Sequence, residues 1–223
     1  MNRRVIFGLA LVAVGLLVFF LVTSLNRSPS SPAPSQPEYV IALDAGHGGK
    51  DPGSSVDGVT EKDINLAIVK RLQTLVDEQE DMGAFLTRTV DVFVPLEERI
   101  SRAEAAGATI FISVHANSFT DPGVHGVEAW VDDTRPDGDP SWVLAAMVVG
   151  AVSQSTGASD RGVHSQELYL HHTKMPAISI EVGYMTNPEE RELLLDPDYH
   201  QKIAEGILAG LRQFIDWTES TPE

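Results

Sequence analysis

YVIALDAGHGGKDPG, running from Tyr39 to Gly53, is the stretch on which the fold turns. Its opening run, Tyr39–Asp44, is short, apolar and β-rich, and it passes straight into glycines, as a buried strand does. Beyond the loop, Thr60 and Asp63 resemble a capping box. From Glu61 to about Glu80, Ile64, Ala67, Ile68, Leu72, Leu75 and Val76 then recur at helical spacing. Strand, glycine-rich loop and helix in that order open an α/β arrangement.

The same alternation continues downstream. Ala84–Thr87 reads as a strand, and Leu96, Ile100 and Ala103 mark a helix closed by Gly107. Thr109–Val114 and Val127–Val131 read as strands, Pro140–Thr156 as a helix ending at Gly157, and Glu167–Leu170 and Ala177–Ile180 as two more short strands. A terminal helix over Tyr199–Thr218 carries Ile203, Ile207, Leu211 and Ile215 on one face. Strands alternating with helices predict one α/β domain over 38–218, with a largely parallel or mixed sheet of about six strands covered on both faces. Residues 219–223 form a tail.

Upstream, Arg3 and Arg4 close a short N-terminus, 1–4, and Val5–Leu25 follows without charge or proline. These 21 residues reach roughly 30 Å as a helix, the thickness of a bilayer core, and the preceding arginines keep the N-terminus in the cytoplasm. A single transmembrane anchor at 5–25 is expected, with the domain on the outer, periplasmic or cell-wall side. A cleaved signal peptide is the competing reading, since Val22-Thr23-Ser24 passes as a poor cleavage site and cleavage would make the domain secreted. Serine and proline fill eight of the twelve positions in 26–37, which describes an extended linker.

The chain has 223 residues, 43% of them apolar, enough for one cored domain. The formal charge of −16 excludes nucleic acid as a natural partner and otherwise serves solubility. There is no cysteine, so disulfides, a lipidated N-terminus and a thiol nucleophile are all excluded.

Three apolar strands end in chemistry. YVIALD runs into His47, TIFISV into His115 and AISI into Glu181, while Glu61 opens the helix after the glycine-rich loop. Ligand groups gather outside the carboxyl ends of strands in α/β sheets, so the four can meet in one crevice. Two imidazoles and a carboxylate suit catalytic zinc, with a further carboxylate to carry the proton, and such a set cleaves amides without a nucleophilic side chain. Each residue also has a plain reading. A histidine at a strand end is often a hydrogen-bonded turn residue, Glu61 is a helix N-terminal acid favoured by the macrodipole, and Glu181 is a buried ion-pair partner. The separations of 14, 54 and 66 residues decide nothing.

Several ordered motifs sharpen the reading: LDAGHGGKDPG (43–53), Glu61-Lys62-Asp63, TRTVDVFVPLEER (87–99), FISVHANS (111–118), HGVEAW (125–130), DRGVHSQELYL (160–170) and MPAISIEVGYMTNPEE (175–190). Over these, from about Tyr39 to Phe214, the chain resembles the zinc-dependent N-acetylmuramoyl-L-alanine amidases of the amidase-3 type, which are cell-wall hydrolases. The resemblance implies a twisted, mostly parallel sheet flanked by helices, and one Zn2+ held by His47, Glu61 and His115. It implies Glu181 as the catalytic residue and, as substrate, the amide joining N-acetylmuramic acid to L-alanine in peptidoglycan. Glu128 maps to no ligand and reads as structural or groove-lining. Arg161 and Asn187 read as holding substrate carboxylates or amides, or as stabilising loops. His125, His164, His171, His172 and His200 match no ligand position.

Family members that need an activator carry an extra helical plug before the DRG-type motif. Only 29 residues separate Val131 from Arg161 here, most of them taken by the 140–156 helix, so no obligatory protein activator is expected. A wall-binding protein without activity would lack one of the four residues. A zinc peptidase of another bond class shares the site logic, and a membrane-anchored scaffold needs none of it.

Overall fold

The computed structural model describes residues 37–221. The expected anchor at 5–25, the N-terminal residues before it and the linker up to Gln36 lie outside the described residues. Among those described, no helix is long and apolar enough to cross a membrane.

Among the described residues, eight strands and five helices follow in chain order. They are β1 (Tyr39–Ala45), β2 (Ser55–Val56), β3 (Val59–Thr60), α1 (Glu61–Asp77), β4 (Met82–Leu86), α2 (Leu96–Ala105), β5 (Ile110–Asn117) and β6 (Val127–Asp132). The rest are α3 (Pro140–Thr156), β7 (Asp160–Gln166), β8 (Ala177–Tyr184), α4 (Pro188–Leu193) and α5 (Pro197–Ser220). Six strands form one sheet in the order β4-β1-β5-β8-β6-β7. Every neighbouring pair in it is parallel except β8–β6, so β6 and β7 run against the other four.

Alternation along the strands sorts the side chains onto two unequal faces. Ile41, Leu43, Ile112, Val114, Ile178, Ile180, Ala129 and Val131 point to the face covered by α1, α3 and α5, where the main core lies. Ala42, Phe111 and Ala177 point to the other face, which among the described residues α2 and a 3₁₀ turn at Tyr169–His172 cover. That second cover stops short of the strand ends, and there the polar residues of the same face, Ser113, His115, Glu181 and Glu128, come together.

Two expectations need correction. The strand expected at Glu167–Leu170 is instead the 3₁₀ turn, and the true strand is β7, Asp160–Gln166. The edge strand DRGVHSQ is polar and half exposed, so it carries no apolar run. Leu170 looked strand-like because it is buried against Phe111 and Ile100. The capping box does not cap: the Thr60 hydroxyl bonds to the Asp63 carboxylate, and no side chain satisfies the first N–H groups of α1. The β2–β3 hairpin went unread, although Asp57-Gly58 is its signal. Both residues have positive φ, 51° and 82°, as a tight two-residue hairpin turn requires.

Candidate metal centre

His47 stands just past the end of β1, in a loop that packs against β5. At Gly46 a Cβ would lie 2.2 Å from the His115 ring, so only glycine lets the loop cross there. His47 itself has φ of 62°, a left-handed value that non-glycine residues rarely adopt. Paired backbone bonds between Gly48 and Asp51 hold the turn, and Arg99 Nη2 donates to the His47 carbonyl at 2.7 Å. Strain held in place at a single histidine marks a position whose side-chain direction matters.

Glu61 is the first residue of α1 and is buried. Its Oε2 accepts from the Ser54 amide at 2.9 Å. Its Oε1 faces His115 Nδ1 at 2.9 Å and His47 Nε2 at 3.2 Å, with Asn65 Nδ2 at 3.2 Å. The carboxylate is thus turned toward two imidazoles, which a helix-dipole role alone does not call for. One donor atom from each of His47, Glu61 and His115 lies within 4.8 Å of the others.

The outer nitrogens decide what the inner ones offer. His47 Nδ1 is 2.8 Å from Asp51 Oδ2, and His115 Nε2 is 3.0 Å from Ser113 Oγ, which in turn donates to Asp44 Oδ2 at 2.7 Å. Occupied outer nitrogens leave His47 Nε2 and His115 Nδ1 to point inward, the orientation that metal-ligating histidines take. Two nitrogens and one carboxylate oxygen, with outer partners on each, fit a divalent zinc ion with a position left open. The Ser113–His115 contact is not a nucleophile pair, because Ser113 is fully buried and committed to Asp44.

The charges are strongly coupled. Burial pulls the His47 imidazole down, but its bonds to Glu61 and Asp51 outweigh this and carry it up to about 9. His115 is likewise raised against burial by Glu61 and by the charge of Glu181. Burial would push the Glu61 carboxyl up, yet the bonds from His115 and His47 hold it well below the usual carboxylate range. This concentration of positive character around one carboxylate is what a bound cation would supply in the protons' place.

Glu181 is the Cα partner of His115 across β5–β8, so its side chain points from the same face. Its Oε2 is sealed from solvent and has no hydrogen-bond partner. Burial, with Glu61 and Glu128 adding and His115 opposing, pushes its carboxyl up to about 7. Such a group can both take and return a proton near neutral pH.

The remaining candidates stand outside the ligand set. Glu128 is buried and accepts from Asn117, Trp130 and Arg161. Asn187 caps α4 and donates to the Pro122 carbonyl, a loop-stabilising role. His200 is buried against the Leu194 carbonyl, the His171 and His172 rings touch at a tilt at the surface, and His125 bonds to its own loop. Sequence reading missed the buried network beneath the cluster, in which Asp44 is held by Thr87, Arg99, Ser113 and Tyr169. An aspartate closing an otherwise apolar strand was its available signal.

Two imidazoles and a carboxylate at strand ends, a half-buried carboxyl one strand away and no accessible nucleophile among them define a hydrolytic α/β enzyme. The chain belongs to the N-acetylmuramoyl-L-alanine amidase family, whose model matches residues 41–213. It is 33% identical over 171 residues to the N-acetylmuramoyl-L-alanine amidase LytC of Bacillus subtilis, covering 76% of this chain and 34% of that protein. It therefore spans about a third of that relative's length. Among solved structures it superposes on an N-acetylmuramoyl-L-alanine amidase from Clostridium difficile with a TM-score of 0.77, at 31% identity over 81% of this chain and 98% of the other. The CwlD amidase from Clostridioides difficile, solved in complex with the GerS lipoprotein, matches with a TM-score of 0.72 at 28% identity, over 80% and 99% of the two chains.

Proposed function

We propose that His47, Glu61 and His115 hold one zinc ion per chain, and that Glu181 carries the proton in hydrolysis of the amide between N-acetylmuramic acid and L-alanine in peptidoglycan. The observation that carries this is the convergence of three ligand atoms within 4.8 Å beside a half-buried carboxyl whose Oε2 has no hydrogen-bond partner. Zinc bound there supplies Lewis-acid activation of water and of the scissile carbonyl. Asp51 and Ser113 fix the two rings so that their inner nitrogens are lone pairs, and Ser54 and Asn65 fix the Glu61 carboxylate. Glu181, held near neutrality by burial, takes a proton from the attacking water and returns it to the departing nitrogen of L-alanine.

In this reading the domain works outside the cytoplasmic membrane, anchored through residues 5–25 or secreted if that segment is cleaved, and needs no protein activator. Support for the last point comes from α3. Leu144, Ala145, Val148 and Val152 of that helix belong to the main core, on the sheet face opposite the cluster, so α3 does not plug the site. The experiment is digestion of purified sacculi by the full-length chain in detergent, with zinc and after chelation, followed by mass spectrometry. Free stem peptides beginning with L-alanine are expected only with the metal. Cuts within the peptide would instead favour a zinc peptidase, and no release in any condition would favour a scaffold.

A further inference from the structure

The row of side chains that starts at the cluster continues past Glu181. Parallel pairing sets His115 opposite Glu181, and antiparallel pairing sets Glu181 opposite Glu128, so all three project from one face across β5, β8 and β6. At β7 the register slips. Val127 pairs with Asp160 but Ala129 pairs with Val163, so Arg161 and Gly162 together oppose Glu128. This is a bulge, a device that re-aims a side chain. Gly162 has φ of 86° and open space where a Cβ would be, so it is needed for its backbone and not for room. The bulge turns Arg161 back to the site face, where its Nε lies 2.9 Å from Glu128 Oε2.

Only that one nitrogen is matched to a carboxylate. Glu128 is already satisfied by Asn117, Trp130 and Arg161 Nε, and the Arg161 guanidinium lies 5.3 Å from the centroid of the Tyr184 ring. Among the described residues the hydrogen bond that Arg161 makes to a carboxylate comes from Nε, and none runs from Nη1 or Nη2 to a carboxylate. Arg161 borders a cavity of about 320 Å³ together with Asn117, Glu128, Trp130, His164 and Tyr184. A planar fork whose terminal nitrogens face no carboxylate, partly exposed and braced by Tyr184 and a buried carboxylate, is built to take a carboxylate in bidentate fashion.

Spacing says which carboxylate. Neighbouring strands lie roughly 4.8 Å apart, so the Arg161 guanidinium, which reaches from β7 to the Glu128 carboxylate on β6, stands between one and two strands, or roughly 5–10 Å, beyond Glu181. An extended peptide advances about 3.3–3.6 Å per residue, so that reach corresponds to the second or third residue past the scissile bond. The direction follows from the proton carrier: Glu181 serves the leaving nitrogen, so the leaving peptide lies on its far side from the cluster. On the near side, the cavity walled by Phe93, Val94 and Leu96 is left for the acyl and sugar half.

We infer that Arg161 is the receptor for a free carboxylate on the second or third residue of the leaving stem peptide, and that its cavity is the peptide subsite. This rests on the amidase reading above. The test uses the full-length chain loaded with zinc and synthetic stem peptides beginning with L-alanine, with the second- and third-residue carboxylates either free or amidated. Binding is measured by calorimetry, and kcat and KM are measured on the matching muramoyl-peptides. The wild type is expected to bind the free-carboxylate peptide at least about tenfold tighter than the amidated one, with the difference in KM rather than kcat. Arg161→Gln is expected to lose the preference, and Arg161→Lys, which keeps a cation beside Glu128, to retain only part of it. Equal binding of both peptides by the wild type would overturn the inference, as would an undiminished preference in a folded Arg161→Gln. Failure of the wild type to cleave any muramoyl-peptide at the L-alanine amide would instead overturn the amidase reading.

Discussion

Arg99 Nη1 lies 2.7 Å from Asp44 Oδ1, and both side chains are almost wholly sealed from solvent. The same guanidinium donates to the carbonyls of Val94, Ala45 and His47, so one buried cation ties α2 to the loop that presents His47. Arg99→Met leaves the Asp44 charge buried without its partner, and a loss of about 3–5 kcal/mol is expected in urea unfolding at neutral pH. Burial would push the Asp44 carboxyl up, but Arg99 with Thr87 and Ser113 holds it below its ordinary value. The sign follows: with the folded pKa depressed, the stabilisation is complete above the unfolded value of about 3.9 and disappears as pH falls through the folded one. The gap between wild type and Arg99→Met should therefore narrow on acidification below about pH 4. A gap constant down to pH 2 would show that Asp44 is not the group responsible.

Glu181 is proposed to act on protons and the cluster on the metal, so the two should separate by mutation. Glu181→Gln keeps shape and removes the proton carrier. Zinc content by mass spectrometry should stay at one per chain while turnover falls about 10²–10⁴-fold. Near-normal turnover in that variant would move the proton-carrying role to another residue.

The Asp51 carboxylate holds the outer nitrogen of His47 and accepts from the Gly53 amide, and it is not among the three proposed ligands. Asp51→Asn weakens the hold on ring orientation and ligand basicity, and zinc affinity measured by competition with a chelator should fall about 10–100-fold. His47→Ala removes a donor atom and should lose zinc outright. If Asp51→Asn matched the wild type in the same competition, the outer partner would be dispensable.

Much of this was legible in the sequence, for physical reasons. Buried parallel strands read as unbroken apolar runs, so β1, β5 and β8 announce themselves, and their polar terminators His115 and Glu181 stand out against them. Glu61 was legible as the first residue of a periodic helix. What stayed hidden depends on partners far along the chain. Arg99 is one charge among several in LEER until Asp44, 55 residues away, is placed against it. Arg161 points at Glu128 only because of a register slip, and a polar edge strand such as β7 gives no periodic signal of where that slip falls.

Two glycines four residues apart, Gly206 and Gly210, set α5 against the backbone of α3, in a helix where glycine is otherwise unfavourable. A Cβ on Gly210 would lie 2.5 Å from Val148 Cα, and one on Gly206 would lie 2.7 Å from Val152 Cα. These neighbours are backbone, so no side chain can swing aside and the helices must separate. Overpacking of that kind costs about 1–3 kcal/mol, against a gain of about 1 kcal/mol in helix propensity. Gly210→Ala should therefore destabilise the domain, by up to about 2 kcal/mol. Gly150 sits in the middle of α3, with nothing within 4 Å of its would-be Cβ, so only the propensity term applies there. Gly150→Ala should stabilise by about 0.5–1 kcal/mol. Urea unfolding of the two variants beside the wild type checks both signs at once, and stabilisation by both would mean that α3 and α5 do not touch through Gly210.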